Sequence, residues 1–434
     1  MEIFCSGMGV EPALKTYFIK NLRNFYKIIL GWPAVTWILF SYIIVFFAYF
    51  IIPTFLNAYH ELLFFHDFPV LKPLGADLVE YLNFSRAWAE TGTPYGLSDY
   101  YPPFQAIFFL RFMQIGPDQS YVYMTVLSFF SLLVVAVLYP WLSSNRRLLN
   151  SPAVLVILTG LFSYGLWFEI ERGQFDLLAM AFCFLAIYIF HHHPRFRLAA
   201  YLLFVFSVNL KIYPAIFILC FTTDWNDWKN NLRRWALLLA ASFAGLFILG
   251  WKVFLGFIHN LAGQLGRPSY AWIGNHSIDS FVRVMVDKFK VTNPNLFGIL
   301  NRNILWLDLT LLAIYLLCLA VVLWLSYRHR INGANPYLLL VLTLGAMLIP
   351  STSHDYKLCI LIAPMVVLFN DLELSPSGNN WLDLAATLLV ILISLTYFAT
   401  LFLHYNLPFL LASNFPLLMI LSVTTVLSLW VRGG

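Results

Sequence analysis

The chain has 434 residues, of which 61% are hydrophobic and only 11% charged, with a formal net charge of +5. A soluble domain carries about 25% charged residues, so this composition excludes one and describes a polytopic membrane protein. The basic excess is spread over many short connections, which excludes a nucleic-acid partner, since such binding needs a clustered basic patch.

A transmembrane helix needs about 20 apolar residues, fewer where it borders a cavity, and about twelve stretches qualify. They are 28–53, 119–141, 152–169, 176–190, 197–210, 213–223, 235–257, 304–326, 336–350, 357–370, 380–403 and 409–430. The first, Ile28 to Ile52, is too long for a signal-peptide core and no small-residue cleavage site follows it, so it is expected to remain as a span. Several others are shorter than a full crossing, and these flank Glu171, Lys211 and His354. Turns sunk below the membrane surface are tolerated only inside protein or beside water. The whole chain, 1–434, is expected to be one integral membrane domain without internal repeats or low-complexity linkers.

Orientation follows from the short loops. Lys15, Lys20, Arg23 and Lys27 precede the first span, and Arg146 with Arg147, Arg195 with Arg197, Lys229 with Arg233 and Arg234, and Arg328 with Arg330 fill alternate connections. Those sides are cytoplasmic, and both termini lie inside. The connection from Asp371 to Asn380 has no Lys or Arg and is neutral to the rule. Two outer connections are long: 54–118, which contains an apolar interfacial stretch at Phe104 to Met113, and 258–303.

The outer short loops hold single cations, Arg172, Lys211 and Lys357. Each alone reads as a side chain snorkelling to the headgroups. Three together, beside abbreviated helices, point to one cavity, as do the other outer polar clusters: Asp77 with Tyr101-Pro102-Pro103, Glu171-Arg172-Gly173-Gln174, Lys211-Ile212-Tyr213-Pro214, Asn275-His276-Ser277 and Ser353-His354-Asp355-Tyr356-Lys357.

Asp77 and Glu80 stand one helical turn apart, and either can act as a general base when partly withdrawn from water. Taken alone, Asp77 equally reads as a helix cap. Arg172, Lys211, His354 and Lys357 supply donors for an anionic leaving group, the Arg fork matching phosphate oxygens and Lys acting as a point charge. A carboxylate base facing a cationic clamp describes transfer from a phosphate-activated, lipid-linked donor to an alcohol. Tyr95, Tyr100, Tyr101, Trp272 and Tyr356 lie where sugar rings or headgroups would rest, although an aromatic belt accounts for many of them. Pro214 restricts Tyr213 to extended geometry and breaks the helix at Lys211.

Cys183, Cys220, Cys318 and Cys359 fall in or beside apolar spans and Cys5 stands alone, so neither disulfides nor a metal set are expected. His191-His192-His193, beside Pro194, reads as a cytoplasmic connector. No obligatory metal is expected, because Arg and Lys can take a cation's place at a phosphate.

Asp77, Tyr81, Gly92 to Tyr95 and Tyr101-Pro102-Pro103, followed in order by Arg172-Gly173-Gln174, Lys211 to Pro214, Asn275 to Ser277, and Ser353, His354 and Tyr356, resemble the motifs of glycosyltransferase family 87 in the GT-C superfamily. The resemblance covers approximately residues 75–365 and implies a GT-C-like bundle of about twelve helices with interfacial helices in two long extracytoplasmic loops. It implies inverting transfer of a sugar, mannose or arabinofuranose, from a polyprenyl-phosphate donor to a lipid-linked glycan, glycolipid or polysaccharide acceptor on the extracytoplasmic face of the inner or plasma membrane. No cofactor besides the donor is expected, and a monomer in the bilayer is. Asp77 becomes the base, Lys211, His354, Arg172 and Lys357 the donor-phosphate ligands, and Glu80, Tyr81, Tyr101, Gln174, Tyr213, Asn275, His276 and Tyr356 the sugar or acceptor contacts. The family commonly carries Gln where this chain has His276. Inversion needs one carboxylate; a hydrolase pairing Asp77 with Asp99 or Glu171 would need two. The competing class is a secondary transporter or flippase of lipid-linked glycans, which also uses broken helices.

Overall fold

In the computed structural model the described residues are 74–96, 101–143, 160, 163–265, 271–272, 274–371, 392 and 413–433. Among them every regular element is a helix; the sole strand-like pairing is an isolated antiparallel bridge between Asn275 and His354. The segment before the first long helix forms α1 (Ala76–Thr91), α2 (Phe104–Phe108) and α3 (Leu110–Ile115). The expected spans 28–53 and 380–403 lie outside the described residues, as do Asp99 and Tyr100.

Among the described residues two helices are long and apolar enough to cross a membrane: α4 (Pro117–Ser143) and a helix at Ile304–Arg328, with mean hydropathies of 2.3 and 2.5. Helix α4 widens into a π turn at Val134–Leu138. Pro140, which follows, has no N–H to donate and its ring crowds the preceding turn, which accounts for the widening.

Next come α5 (Tyr164–Arg172), α6 (Asp176–His192) and α7 (Arg197–Leu210), then a 3-10 segment at Tyr213–Cys220. Helices α6 and α7 pack along their whole lengths as an antiparallel pair. The expected single span at 235–257 is instead two helices, α8 (Trp228–Gly245) and α9 (Trp251–Leu265). Between them the backbone tightens through short-range bonds such as Phe247 N to Ala244 O and Gly250 N to Phe247 O, and ends at Gly250 with φ +92°. A continuous apolar run hid that break.

The second long connection forms α10 (Ile278–Asp287), α11 (Phe289–Thr292) and α12 (Pro294–Arg302), leading into α13 (Ile304–Arg328). Helix α14 (Pro336–Leu348) is buried on every face from Tyr337 to Leu348. Its 13 residues reach about 20 Å, short of the roughly 30 Å hydrocarbon thickness. Lipid offers leucine no worse a home than protein does, so end contacts and packing must fix this helix. Asn335 caps it, accepting from Leu338 N at 2.8 Å and donating to Ser326 Oγ at 3.1 Å. A 3-10 segment (Asp355–Leu361), α15 (Ile362–Asp371) and α16 (Phe415–Gly433) complete the described chain. The 3-10 segment lies against α5, and α14 is enclosed by α13, α15, α16 and the Tyr213–Cys220 segment.

Candidate active site

Two glycines bring α1 onto the end of α5. Gly173 closes α5 with φ +68°, and a Cβ there would stand 2.8 Å from Leu78 Cβ and 3.3 Å from Gly75 Cα. Gly75, also left-handed, donates its N–H to Glu171 O at 2.7 Å. Only glycine permits both the left-handed turn and this backbone approach. The consequence is that Asp77, in the first turn of α1, meets the side chains that follow Glu171.

The Asp77 carboxylate does not cap its helix; Gly75 occupies the cap position. One oxygen is paired with Arg172 and the other accepts from Gln174 Nε2 at 2.5 Å. Gln174 then faces the opposite way with its oxygen, which accepts from Tyr81 Oη at 2.7 Å and from Lys211 Nζ at 2.9 Å. Burial raises the Tyr81 phenol well above its ordinary range, with Tyr101 and Asp77 adding to the effect, so it stays protonated and donates. Glu80, on the exposed side of α1, accepts from Tyr101 Oη at 3.1 Å.

Lys211 is held by the end of α7. Gln105, fully buried, donates Nε2 to Leu210 O at 2.5 Å, and Lys211 itself is extended at φ −141°, ψ 134°. The helix breaks at Lys211 as expected, but the extended residue is Lys211 and not Tyr213, because Pro214 sits in the first turn of a 3-10 helix that Tyr213 already begins. The ammonium lies 4.2 Å from the Phe175 ring centre and 3.2 Å from Asp176 Oδ2. Lys357 enters from the 3-10 segment, donating to Thr352 O at 2.8 Å with its ammonium 4.8 Å from the Tyr213 ring centre.

These groups share one cavity of about 800 Å³. Its polar lining includes Asp77, Glu80, Tyr81, Tyr101, Arg172, Gln174, Lys211, Tyr213, His354, Tyr356 and Lys357. Ile212, Ile216, Leu261, Ala346 and Ile349 form an apolar wall, of which Ile212 and Ile349 are exposed. The size suits a sugar with part of a lipid chain.

Eleven of the thirteen expected site residues therefore converge, and two stand behind the wall. Asn275 and His276 are buried and do not line the cavity. Asn275 accepts from Ser353 N at 3.0 Å and donates to Ser351 O at 2.9 Å, splinting the loop that carries His354. His276 Nε2 lies 2.9 Å from Asp355 Oδ1, both side chains fully enclosed. Burial raises the Asp355 carboxyl while His276 pulls it back.

Arg172, expected on the donor phosphate, lines the cavity and is paired with Asp77. His354 accepts from Trp272 Nε1 through Nδ1 at 3.0 Å, which leaves the proton of a neutral ring on Nε2. Burial, with Lys357, His276 and Arg172 adding, lowers its pKa to about 3. At neutral pH the ring is uncharged and its Nε2–H is available to donate.

Two buried carboxylates were not anticipated. Asp176, fully enclosed, sits beside Lys211, and Glu169 accepts from Leu177 N at 2.8 Å and from Cys359 Sγ at 2.7 Å. Glu169 thereby satisfies an otherwise unpaired N–H in the first turn of α6. The signal for Asp176 was present, since Arg172-Gly173-Gln174-Phe175-Asp176 continues the outer motif by two residues.

The model for glycosyltransferase family 87 matches residues 100–352, more than half of the chain. The match spans Arg172, Gln174, Lys211 and Asn275, and begins after Asp77. Searches of curated proteins and of solved structures found no match. An all-helical, membrane-apolar chain whose polar loops close on one cavity is consistent with that assignment, and the protein belongs to glycosyltransferase family 87, a family of the GT-C type.

Proposed function

We propose that this glycosyltransferase moves a sugar, mannose or arabinofuranose, from a polyprenyl-phosphate donor to a hydroxyl of a lipid-linked or glycan acceptor, with inversion, at the extracytoplasmic face of a bundle of about twelve spans. The observation that carries the reading is the shared cavity: the Asp77 carboxylate, with Glu80 also on the lining, opens onto the same space as Lys211 and Lys357. A carboxylate with each oxygen held by one donor still has lone pairs to accept a proton. Arg172 and Gln174 thus orient the base without blocking it.

In the step, the acceptor oxygen attacks the anomeric carbon while the bond from that carbon to the phosphate oxygen breaks. The acceptor proton passes to Asp77, and polyprenyl phosphate leaves with the bonding pair. Lys211 and Lys357 meet the phosphate, and His354 offers its Nε2–H. Fixed donors aimed at developing charge are commonly the largest catalytic contribution. Glu80, Tyr81, Tyr101, Gln174, Tyr213 and Tyr356 border the sugar and the acceptor, and the Ile212–Ile349 wall faces the lipid chain. The donor carries its own leaving group and the lysines supply positive charge, so no further cofactor enters the proposal.

The test is transfer by purified protein in nanodiscs, using radiolabelled polyprenyl-phosphate mannose and polyprenyl-phosphate arabinofuranose with a membrane glycolipid extract. Labelled product whose anomeric configuration is opposite to the donor's is expected from one donor. Retention of configuration would contradict the single-carboxylate mechanism. In sealed proteoliposomes, movement of intact lipid-linked sugar across the bilayer without transfer would favour a flippase.

A further inference from the structure

Asp176 is fully enclosed at the start of α6, and its nearest cationic group is Lys211 at 3.2 Å. Among the described residues neither of its carboxylate oxygens meets hydrogen-bond geometry with any group, so the contact with Lys211 is electrostatic. An enclosed carboxylate without donors is costly unless a charge faces it. The helix has a different residue for its N-terminal amide, because Glu169 accepts from Leu177 N. Asp176 is therefore not needed as a cap, and Lys211 is the cation paired with it, with the Tyr213 hydroxyl and the Lys357 charge also acting on it.

Its setting relates it to the cavity. Lys211 bridges from Asp176 to the Gln174 oxygen and rests on the Phe175 ring, while its ammonium lines the cavity. Resting on the assignment of Lys211 to the donor phosphate, we infer that Asp176 is a positioning residue that anchors Lys211 from behind and holds its ammonium toward the phosphate. Asp176 lies behind the cavity lining and does not touch the donor. Its main effect on the donor passes through Lys211, its ion-pair partner, with a weaker electrostatic influence on Lys357.

That claim is tested by a double-mutant cycle. The probe is a C15 polyprenyl monophosphate, with the corresponding alcohol as the uncharged control, titrated against full-length protein in nanodiscs. The proteins are wild type, Asp176→Asn, Lys211→Met and the double variant. Lys211→Met is expected to weaken phosphate binding about 30-fold, the range for one lost partner of an enclosed charge pair. Asp176→Asn weakens it about tenfold, and the double variant remains near 30-fold, whereas independent sites would give roughly 300-fold. Binding of the alcohol changes less than twofold throughout.

Additive losses, or wild-type phosphate affinity in Asp176→Asn, overturn the inference while leaving Lys211 on the phosphate. Unchanged affinity in Lys211→Met removes the donor-phosphate assignment itself and the inference with it. Thermal melting of the four proteins covers failure of a single variant to fold. Lys211→Met strands the Asp176 charge and should melt lowest, with the double variant recovering; a double variant no more stable than Lys211→Met would overturn the anchoring.

Discussion

Replacing Gln174 by Glu keeps the shape of the side chain and exchanges the donor that faces Asp77 for a negative charge. In the wild type Gln174 Nε2 lies 2.5 Å from Asp77 Oδ2, and its oxygen accepts from Tyr81 at 2.7 Å and Lys211 at 2.9 Å. A carboxylate at this position still serves Tyr81 and Lys211 but meets Asp77 with like charge. A hydrogen bond to a charged group is worth about 1.5–3 kcal/mol. At about 1.4 kcal/mol per factor of ten, its loss alone costs roughly 10- to 150-fold in rate, and repulsion adds to that. Gln174→Glu should therefore lower kcat about 100-fold and also weaken binding of a polyprenyl monophosphate, because the new negative charge stands beside Lys211. Steady-state transfer and a phosphate-binding titration on the same preparation measure both. A kcat within threefold of wild type would refute the reasoning that this amide orients the base.

Three further outcomes follow from the geometry. Gly173→Ala places a Cβ 2.8 Å from Leu78 Cβ in a left-handed turn that costs an L-residue about 1–2 kcal/mol, so it should lower both the melting temperature and transfer, the latter about 100-fold through displacement of Asp77; a Gly173→Ala enzyme with normal kcat would show that the approach of α1 to α5 is not needed. His354, held to about 3 in the folded protein, titrates near about 6.5 when unfolded, so unfolding takes up a proton between those values. Its contribution to stability is complete above about 6.5 and is lost progressively as pH falls toward 3; melting scans across that window should show a shallower acid loss in His354→Gln than in wild type. Trp272→Phe removes the donor to His354 Nδ1 and should weaken phosphate binding about threefold to tenfold without changing binding of the uncharged alcohol, as read by the same titration.

The parts of the site legible in the sequence were those in which charge interrupts an apolar run. Arg172, Lys211 and Lys357 could be placed together because single cations beside abbreviated spans have few reasons to stand there. The helix end at Lys211 followed from proline chemistry, and α7 runs over Arg197–Leu210 as its apolar stretch suggested. What stayed hidden depended on side-chain direction or on neighbours distant in sequence. Asn275 and His276 carry the right groups for a sugar, but their irregular loop turns them toward Ser351, Ser353 and Asp355. Arg172 had several carboxylates within reach on paper, and only the contact between Gly75 and Gly173 selects Asp77. Asp176 and Glu169 lie at or near the ends of apolar helices, where an acid reads as an end marker until its partner across the bundle is seen.

The account rests on Asp77 taking the acceptor proton in a cavity that holds a polyprenyl-phosphate donor. Single-turnover transfer from the radiolabelled donor, comparing wild type with Asp77→Asn at saturating donor, tests it most directly, with a polyprenyl monophosphate titration on each protein. Loss of transfer by at least about 1,000-fold with phosphate affinity retained within threefold is the predicted result. Transfer by Asp77→Asn at a rate near wild type would contradict the assignment of the base and leave Glu80, on the same side of α1, as the carboxylate to examine.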